Sequence, residues 1–284
     1  MNRILNCVAS DFGKETTTYE LKDAIKASEG RTILVEIAAF EAPMYDSVTN
    51  GEIAAAFGAD LLLIKHMDYR VCKIEGANAE NPISLIRKLT GNGVGLNLEI
   101  TDDTTHGMEV SEEHIRKAIS LKPDFLSITG YKRPEVNSNR ILSEIKAERD
   151  QYDGFLMVHH VMGNIADLDV GNYLSYVEAG ADMITLPAPG AIPGVTEDNL
   201  ASIIKAIREA GAIVSLTTST SQEGTDTETS RDIAIASKRA GTDVYAFGDA
   251  GISGMAEPNN IMTTSIAIRG KRHTYVRMAR SANR

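Results

Sequence analysis

Acidic, basic and imidazole side chains recur at or beside the carboxyl ends of apolar runs in this 284-residue chain. Glu36, Lys65 and Glu99 close three of these runs, and His159 closes a fourth. Carboxylates can transfer protons, and a histidine can shuttle a proton near neutral pH. A lysine between carboxylates stays protonated and can anchor an anion, whereas a desolvated, less paired lysine can form a Schiff base. We predict these four residues to be catalytic, with Lys65 as the anion anchor.

These side chains can meet only if the apolar runs are strands that share one inner face. A strand alternates its side chains between two faces. Leu96 and Leu98 therefore point one way, and Asn97 and Glu99 point the other. The predicted substrate-binding side chains near the strand ends are Asn97, Thr129, His160, Thr185 and Thr217.

Two alternatives remain open for this inner face. In the fifth run the alternation places either His159 or His160 inward, and the sequence does not decide between them. Glu36, Lys65 and Glu99 could also form a buried ion-pair network that fixes strand register without any chemistry. The convergence of two acids, a lysine, an amide and a histidine favours a functional site.

Eight apolar runs alternate with segments of helical spacing. The runs cover 32–37, 61–64, 94–100, 125–128, 155–158, 183–186, 212–216 and 244–247. The helices are predicted near 48–57, 82–90, 111–120, 135–151, 170–179, 196–210, 228–240 and 258–268. Eightfold strand and helix alternation without a long linker predicts an α/β fold that closes into a (β/α)₈ TIM barrel. An open doubly wound sheet is the alternative.

The whole chain, 1–284, is predicted to be a single barrel domain with an extension at each end. Residues 1–30 form the N-terminal extension, in which 12–30 are predicted to be an extra helix with an apolar stripe of Tyr19, Leu21, Ala24 and Ile25. This helix would cover the barrel bottom or a neighbouring subunit. The C-terminal tail, 269–284, holds five Arg and one Lys without an acid. We interpret it as a solvated or intersubunit tail, although it could contact a polyanion or an acidic partner.

Charge and composition narrow the classes of partner. Lys and Arg number 29 against 39 Asp and Glu, which gives a net charge of −10 and opposes broad nucleic-acid binding. The chain has no uninterrupted run of about 18 apolar residues, which a membrane-spanning helix needs. The N-terminus is a poor signal peptide. The two cysteines, Cys7 and Cys72, are too few for a disulfide framework. We therefore expect a cytoplasmic homo-oligomer that binds a small anionic metabolite.

Two loops could hold a phosphate or carboxylate group. They follow the seventh and eighth runs, where many barrels bind phosphate through backbone N–H groups and a helix N-terminus. The predicted phosphate-binding residues are Thr218, Ser219, Gly248, Gly251 and Ser253. Such loops are also common solvent-exposed connectors, and Asp249 would repel a phosphate unless its side chain turns away.

Three segments resemble the phosphoenolpyruvate mutase/isocitrate lyase superfamily. They are Ala42 to Val48, Ala54 to Asp60, and Tyr176 to Ile184, and the last, with its Glu-Ala-Gly-Ala-Asp, is similar also to ribulose-phosphate-binding barrels. The resemblance implies a (β/α)₈ barrel that binds Mg²⁺ and makes or breaks C–C or C–P bonds next to a carboxylate.

The chain departs from this superfamily at its metal site. In place of the Asp-rich segment on the third strand, the chain has residues 97–103, in which Glu99 and Asp102 could stand in as Mg²⁺ ligands. The acidic end of the fourth strand is replaced by Ser127 to Gly130, and the cysteine-bearing lyase loop is absent. We interpret the chain as a divergent relative.

The sequence as a whole predicts a barrel enzyme that acts on a small anionic metabolite, phosphorylated or not, by lyase or isomerase chemistry. Lys65 would orient the anion, and Glu36 or Glu99 would transfer protons or bind metal. A Mg²⁺-dependent mutase or lyase of the resembling superfamily is one alternative. A non-catalytic metabolite-binding module is the other.

Overall fold

Eight parallel strands separated by helices close into a barrel in chain order, with β8 pairing back onto β1. The computed structural model describes residues 3–13, 18–163 and 165–282. The strands are β1 (Thr32–Ala38), β2 (Leu61–Lys65), β3 (Gly93–Glu99), β4 (Phe125–Gly130), β5 (Leu156–His160), β6 (Met183–Pro187), β7 (Ile213–Thr218) and β8 (Val244–Phe247). The predicted (β/α)₈ barrel is confirmed, and the sheet is not open.

Helices connect the strands and begin at residues suited to capping. The helices are α1 (Thr18–Lys26), α2 (Asn50–Phe57), α3 (Pro82–Thr90), α4 (Glu112–Ser120), α5 (Ser138–Arg149), α6 (Val170–Glu178), α7 (Glu197–Glu209), α8 (Thr227–Ala240) and α9 (Pro258–Ala279). Thr49, Asn81 and Ser111 accept first-turn backbone N–H groups of α2, α3 and α4. Within the described ranges, none of the helices combines the length and apolar character that a membrane span requires.

Strand alternation divides the apolar side chains into two layers. Ile33 and Val35 belong to the layer between the strands and the helices, whereas Leu34, Leu63 and Met157 pack inside the barrel. Each large side chain buried in this way contributes about 1.5–3 kcal/mol. The interior is thus a packed floor, and the polar strand ends lie above it.

The N-terminal extension closes the bottom of the barrel. Leu21, Ala24 and Ile25 of α1 pack in the same cluster as the interior strand residues. The helix is shorter than the predicted 12–30, and residues 14–17 lie outside the described part of the chain. Tyr19 does not join the stripe and is 72% exposed, because two residues of helix turn it about 200° away from Leu21.

Four aspartates at the base tie neighbouring strands together. Each directly precedes an even-numbered strand and accepts a backbone N–H of the strand before it, at 2.8–3.0 Å. These base aspartates are Asp60, Asp124, Asp182 and Asp243, and they pair with Arg269, Arg87, Arg149 and Arg208 in turn. Two positions earlier the backbone has positive φ in all four units, at Gly58, Lys122, Gly180 and Gly241. The barrel is therefore built from four similar two-strand units.

The basic C-terminal segment is folded onto this base. Helix α9 bends at Gly270, where φ is 76°, and sends Arg269 and Arg277 under the barrel. Arg269 Nη1 lies 2.5 Å from Asp60 Oδ2, and Arg277 Nε donates to the Ala59 carbonyl at 3.0 Å. The interpretation of 269–284 as a solvated tail is wrong for these arginines, since the buried Asp60 carboxylate requires a cation.

Loss of the Arg269 guanidinium should destabilise the protein strongly. In Arg269→Met, the Asp60 carboxylate stays buried with only Arg277 nearby, at 3.5 Å. We expect the free energy of unfolding, measured by urea denaturation, to fall by about 3 kcal/mol. Arg272→Met, which changes an exposed arginine on the same helix, should change it by less than about 0.5 kcal/mol. Equal losses in the two variants would contradict the pairing.

A second buried acid, Glu148 on α5, has neither carboxylate oxygen hydrogen-bonded to a described residue. Burial raises the pKa of Glu148 to about 8, while the neighbouring Arg149 opposes the rise only in part. Because the folded protein holds this proton more tightly than the unfolded chain, the acid destabilises the fold as pH rises from its ordinary pKa toward 8.

The substitution Glu148→Gln should therefore stabilise the protein in a pH-dependent way. We expect a gain of up to roughly 4 kcal/mol at pH 8 and little gain near pH 4.5, since the amide removes only the cost of ionisation. Melting temperatures measured across this range provide the check. The exposed Glu113→Gln on α4 is the matched control and should give a flat difference.

Candidate active site at the barrel mouth

The charged strand ends meet at the carboxyl mouth of the barrel, above the packed floor. Glu36 and Lys65 form an ion pair at 3.2 Å, and each residue is 2% exposed. The Tyr131 ring lies over the ammonium, with its centroid 4.9 Å from Lys65 Nζ. Burial alone would lower the pKa of Lys65, but Glu36 and other negative groups, including Asp249, outweigh burial and raise it. Lys65 is thus an ammonium group, as an anion anchor requires.

His66 also lies at the mouth, and the sequence analysis did not identify it as a site residue. Its backbone has φ of 57°, which turns the side chain across the strand ends. Nδ1 donates to Glu99 Oε1 at 2.6 Å, and Nε2 lies 2.8 Å from Asp249 Oδ2. Burial opposes protonation, but the two carboxylates raise the pKa of His66 to about 9. The imidazolium therefore clamps β2 to β3 and to the loop after β8.

The two predicted metal ligands are not brought together. Glu99 is occupied by His66 and lies 3.7 Å from Arg133, and Asp102 points to solvent near Arg140 at 3.6 Å. No group of three His, Cys, Asp or Glu side chains in the described ranges could hold a metal ion. Mg²⁺ prefers several free oxygen ligands, so this donor set does not fit it. Glu99 instead positions His66.

The fifth strand resolves the choice between its two histidines. His159 faces the interior, where burial and then the charge of Lys65 lower its pKa to about 3. Its ring is neutral at physiological pH, and Nδ1 has no partner among the described residues. His160 was predicted to bind substrate, but it lies toward the helices, with Nδ1 3.3 Å from the Tyr176 hydroxyl. The correction follows from register, because Met157 and His159 share the inner face.

The remaining predicted substrate-binding residues lie on the inner face. Thr129 donates to Asn97 Oδ1 at 2.7 Å, which leaves the Asn97 amide nitrogen without a described partner. The Thr185 hydroxyl likewise has no described partner. Thr217 donates to the carbonyl of Thr218 at 3.0 Å. Asn97 and Thr185 can therefore hydrogen-bond a ligand without losing an existing contact.

Glu223 is a site residue that the sequence analysis missed. It lies in a short turn after β7 and is 1% exposed, and Oε2 has no partner in the described ranges. Burial, followed by the charges of Glu36 and Asp249, raises its pKa to about 7. A methyl group at Gly248 would come within 2.1 Å of Glu223 Oε1. The signal in the sequence is this glycine, since a side chain there would displace the carboxyl group.

The two loops predicted to hold phosphate are flanked by carboxylates. The Gly248 N–H donates to the Thr218 carbonyl, and the flanking carboxylates of Glu223 and Asp249 oppose an anion. A carboxylate, Asp226, already caps α8. Ser219 lies at the partly exposed end of its loop, Gly251 packs against the Met255 carbonyl, and the Ser253 carbonyl accepts Asn50. The phosphate site stays a prediction that this geometry disfavours.

Fold and site together define a (β/α)₈ barrel with a buried, charged mouth. The chain belongs to the family described as a domain of unknown function, DUF7916, which matches residues 5–284. No curated protein matches the chain.

Solved structures of several barrels resemble the fold at low identity. An archaeal fructose 1,6-bisphosphate aldolase has a TM-score of 0.57 and 13% identity, over 85% of this chain and 95% of that chain. A dihydrodipicolinate synthase from Bacillus clausii has a TM-score of 0.52 and 11% identity, over 89% of this chain and 79% of that chain. A 2,3-dimethylmalate lyase of the PEP mutase/isocitrate lyase superfamily has a TM-score of 0.50 and 13% identity, over 82% of this chain and 81% of that chain. The predicted resemblance to that superfamily is confirmed at the level of the fold.

The His66 clamp should make stability depend on pH above neutrality. Its folded pKa of about 9 exceeds the ordinary value of 6.5, so its contribution is complete below pH 6.5 and disappears as pH rises through 9. We expect His66→Gln to lose about 3 kcal/mol at pH 6 and progressively less toward pH 9.5, measured by urea denaturation. The exposed His106→Gln should show no such trend. A pH-independent loss in His66→Gln would contradict the clamp.

Proposed function

We propose that this protein is an enzyme that acts on a small carboxylic acid by proton transfer, in a lyase or isomerase reaction. The observation that carries the proposal is the buried Lys65 ammonium beside polar atoms that lack partners within the described chain. These atoms are Glu36 Oε1, Asn97 Nδ2, His159 Nδ1, Thr185 Oγ1 and Glu223 Oε2. Such atoms are costly to bury unless a ligand or water completes their hydrogen bonds.

Lys65 would bind the carboxylate of the substrate. An ammonium group has three N–H donors, and the Glu36 oxygen that lies 3.2 Å from it can accept from one of them. The Asn97 amide would donate to a second substrate oxygen. A carboxylate is favoured over a phosphate because Glu223 and Asp249 line the loops in which phosphate was expected. In this arrangement the substrate would enter the mouth as an anion, and its carboxylate would form an ion pair with the Lys65 ammonium inside the barrel.

Glu223 would exchange the proton. Its pKa of about 7 gives comparable amounts of acid and base at neutral pH, which suits general acid–base catalysis. As a base it would remove a proton from the carbon next to the substrate carboxylate or carbonyl, and as an acid it would return one. Neutral His159 would hold the oxygen on which negative charge develops if its ring donates from Nδ1. The Lys65 ammonium would stabilise the same charge.

A non-catalytic binding module is the second candidate. It is favoured by the unpartnered Asn97 amide and Thr185 hydroxyl, which can hydrogen-bond a ligand without any proton transfer. The described residues do not support a Mg²⁺-dependent lyase, because Glu99 and Asp102 do not form a suitable donor set.

The two candidates differ in whether bound acid exchanges its carbon-bound proton. A panel of small acids, keto acids and phosphorylated sugars is screened by thermal shift with and without Mg²⁺. Hits are then incubated with protein in D₂O, and deuterium incorporation is followed by NMR. We expect a carboxylic acid to stabilise the protein and to gain deuterium.

Two variants separate binding from proton transfer. Lys65→Met should lose the thermal shift, whereas Glu223→Gln should keep it and lose at least about a hundredfold in exchange rate. The exposed control variants Lys205→Met and Glu228→Gln should retain both the thermal shift and the exchange of deuterium. Stabilisation without exchange or turnover would favour the binding module. If Lys65→Met is destabilised but binds the ligand as before, the Glu36–Lys65 ion pair has only a structural role.

A further inference from the structure

A mostly apolar groove opens beside the charged mouth. It has a volume of about 490 Å³ and lies between the loops that follow β1, β2 and β3. We call it the Phe40 groove; its main lining residues are Ala39, Phe40, His66, Val71, His106 and Met108. Phe40 is 59% exposed and Val71 is 69% exposed, so both present apolar surface at the groove.

The groove adjoins the proposed catalytic centre across the His66 ring. His66 forms its inner wall, with its ring 5.8 Å from Phe40 and stacked at 6.1 Å on Tyr131. Tyr131 in turn lies over Lys65. The floor is also tied to the centre, because the Glu99 N–H donates to the Met108 carbonyl at 2.8 Å. A molecule bound at Lys65 could thus extend into the groove past a single pair of rings.

Charge at the rim indicates what kind of group the groove accepts. Lys73 pairs with Glu75 at 2.5 Å, and Arg70 pairs with Asp68 at 2.6 Å. Since these charges neutralise one another, the rim offers no unpaired arginine or lysine to a second carboxylate or a phosphate. An apolar cavity of about 150 Å³ can hold a benzene ring, so the groove has room for a ring or a branched chain.

We propose that the Phe40 groove binds an apolar arm of the acid whose carboxylate is held at Lys65. The substrate class is then a carboxylic acid with an aryl or branched-alkyl substituent, and short diacids and sugar phosphates are disfavoured. This inference rests on the proposed function, because it takes Lys65 as the carboxylate site.

The test compares two acids that have the same carboxylate end and differ only in an apolar substituent. Propanoate and 3-phenylpropanoate are titrated into the full chain by calorimetry, with Val71→Asp as the groove variant. Val276→Asp is the matched control, since Val276 is 53% exposed on α9, away from the mouth. Melting temperatures establish that each variant is folded.

We expect 3-phenylpropanoate to bind at least about tenfold more tightly than propanoate to the unchanged protein. Val71→Asp should abolish this advantage without weakening propanoate, Val276→Asp should change neither, and Lys65→Met should weaken both acids.

Other results would overturn the inference in distinguishable ways. Equal affinity for the two acids, or an advantage that survives Val71→Asp, refutes the groove assignment and leaves the proposed function standing. Binding of both acids that survives Lys65→Met refutes the carboxylate role of Lys65, and the proposed function with it. If neither acid binds, the carboxylate class is wrong. Acid-independent dimerisation that Val71→Asp removes would show that the groove is an interface between copies.

Discussion

The register of this barrel depends on carboxylates buried at its base. Each base aspartate fixes an even-numbered strand against the strand before it through one backbone N–H. A slip of one residue would exchange the two faces of a strand. Glu36, Lys65 and Asn97 would then leave the interior for the helix layer. The chemistry proposed at one end of the barrel is therefore set by ion pairs at the other end, and one of these pairs, Asp60 with Arg269, joins residues 209 positions apart in sequence.

At the mouth, as at the base, buried cations are paired with carboxylates. The chain is acidic overall, yet the cations Lys65 and His66 each lie against carboxylates, with Glu36 on one side and Glu99 and Asp249 on the other. Buried charges persist only when they are paired in this way. Both cations are paired in this way, so a substrate anion would bind a cation whose charge is already compensated.

Local patterns in the sequence predicted the strands, most of the helices and the inward position of Glu36, Lys65 and Asn97. Alternation within a strand is a local property and needs no knowledge of partners. It could not place His66, because a positive φ just after the strand redirects that side chain. Nor could it find Glu223, which lies in a loop turn and becomes important only through burial beside Gly248. The pairing of Asp60 with Arg269 joins distant parts of the chain and leaves no local signature.

That last pairing has a consequence for how the molecule is made. During synthesis β1 and β2 leave the ribosome long before Arg269 and Arg277, so the Asp60 carboxylate has no cation while most of the barrel is being translated. Arg280, which donates to the Leu5 carbonyl at 3.0 Å, then joins the segment after α9 to the N-terminal extension. The base can be sealed only after the final helix emerges. An interrupted translation product that ends before α9 would carry an open barrel floor and an unpaired charge, which are features that cellular quality control can recognise.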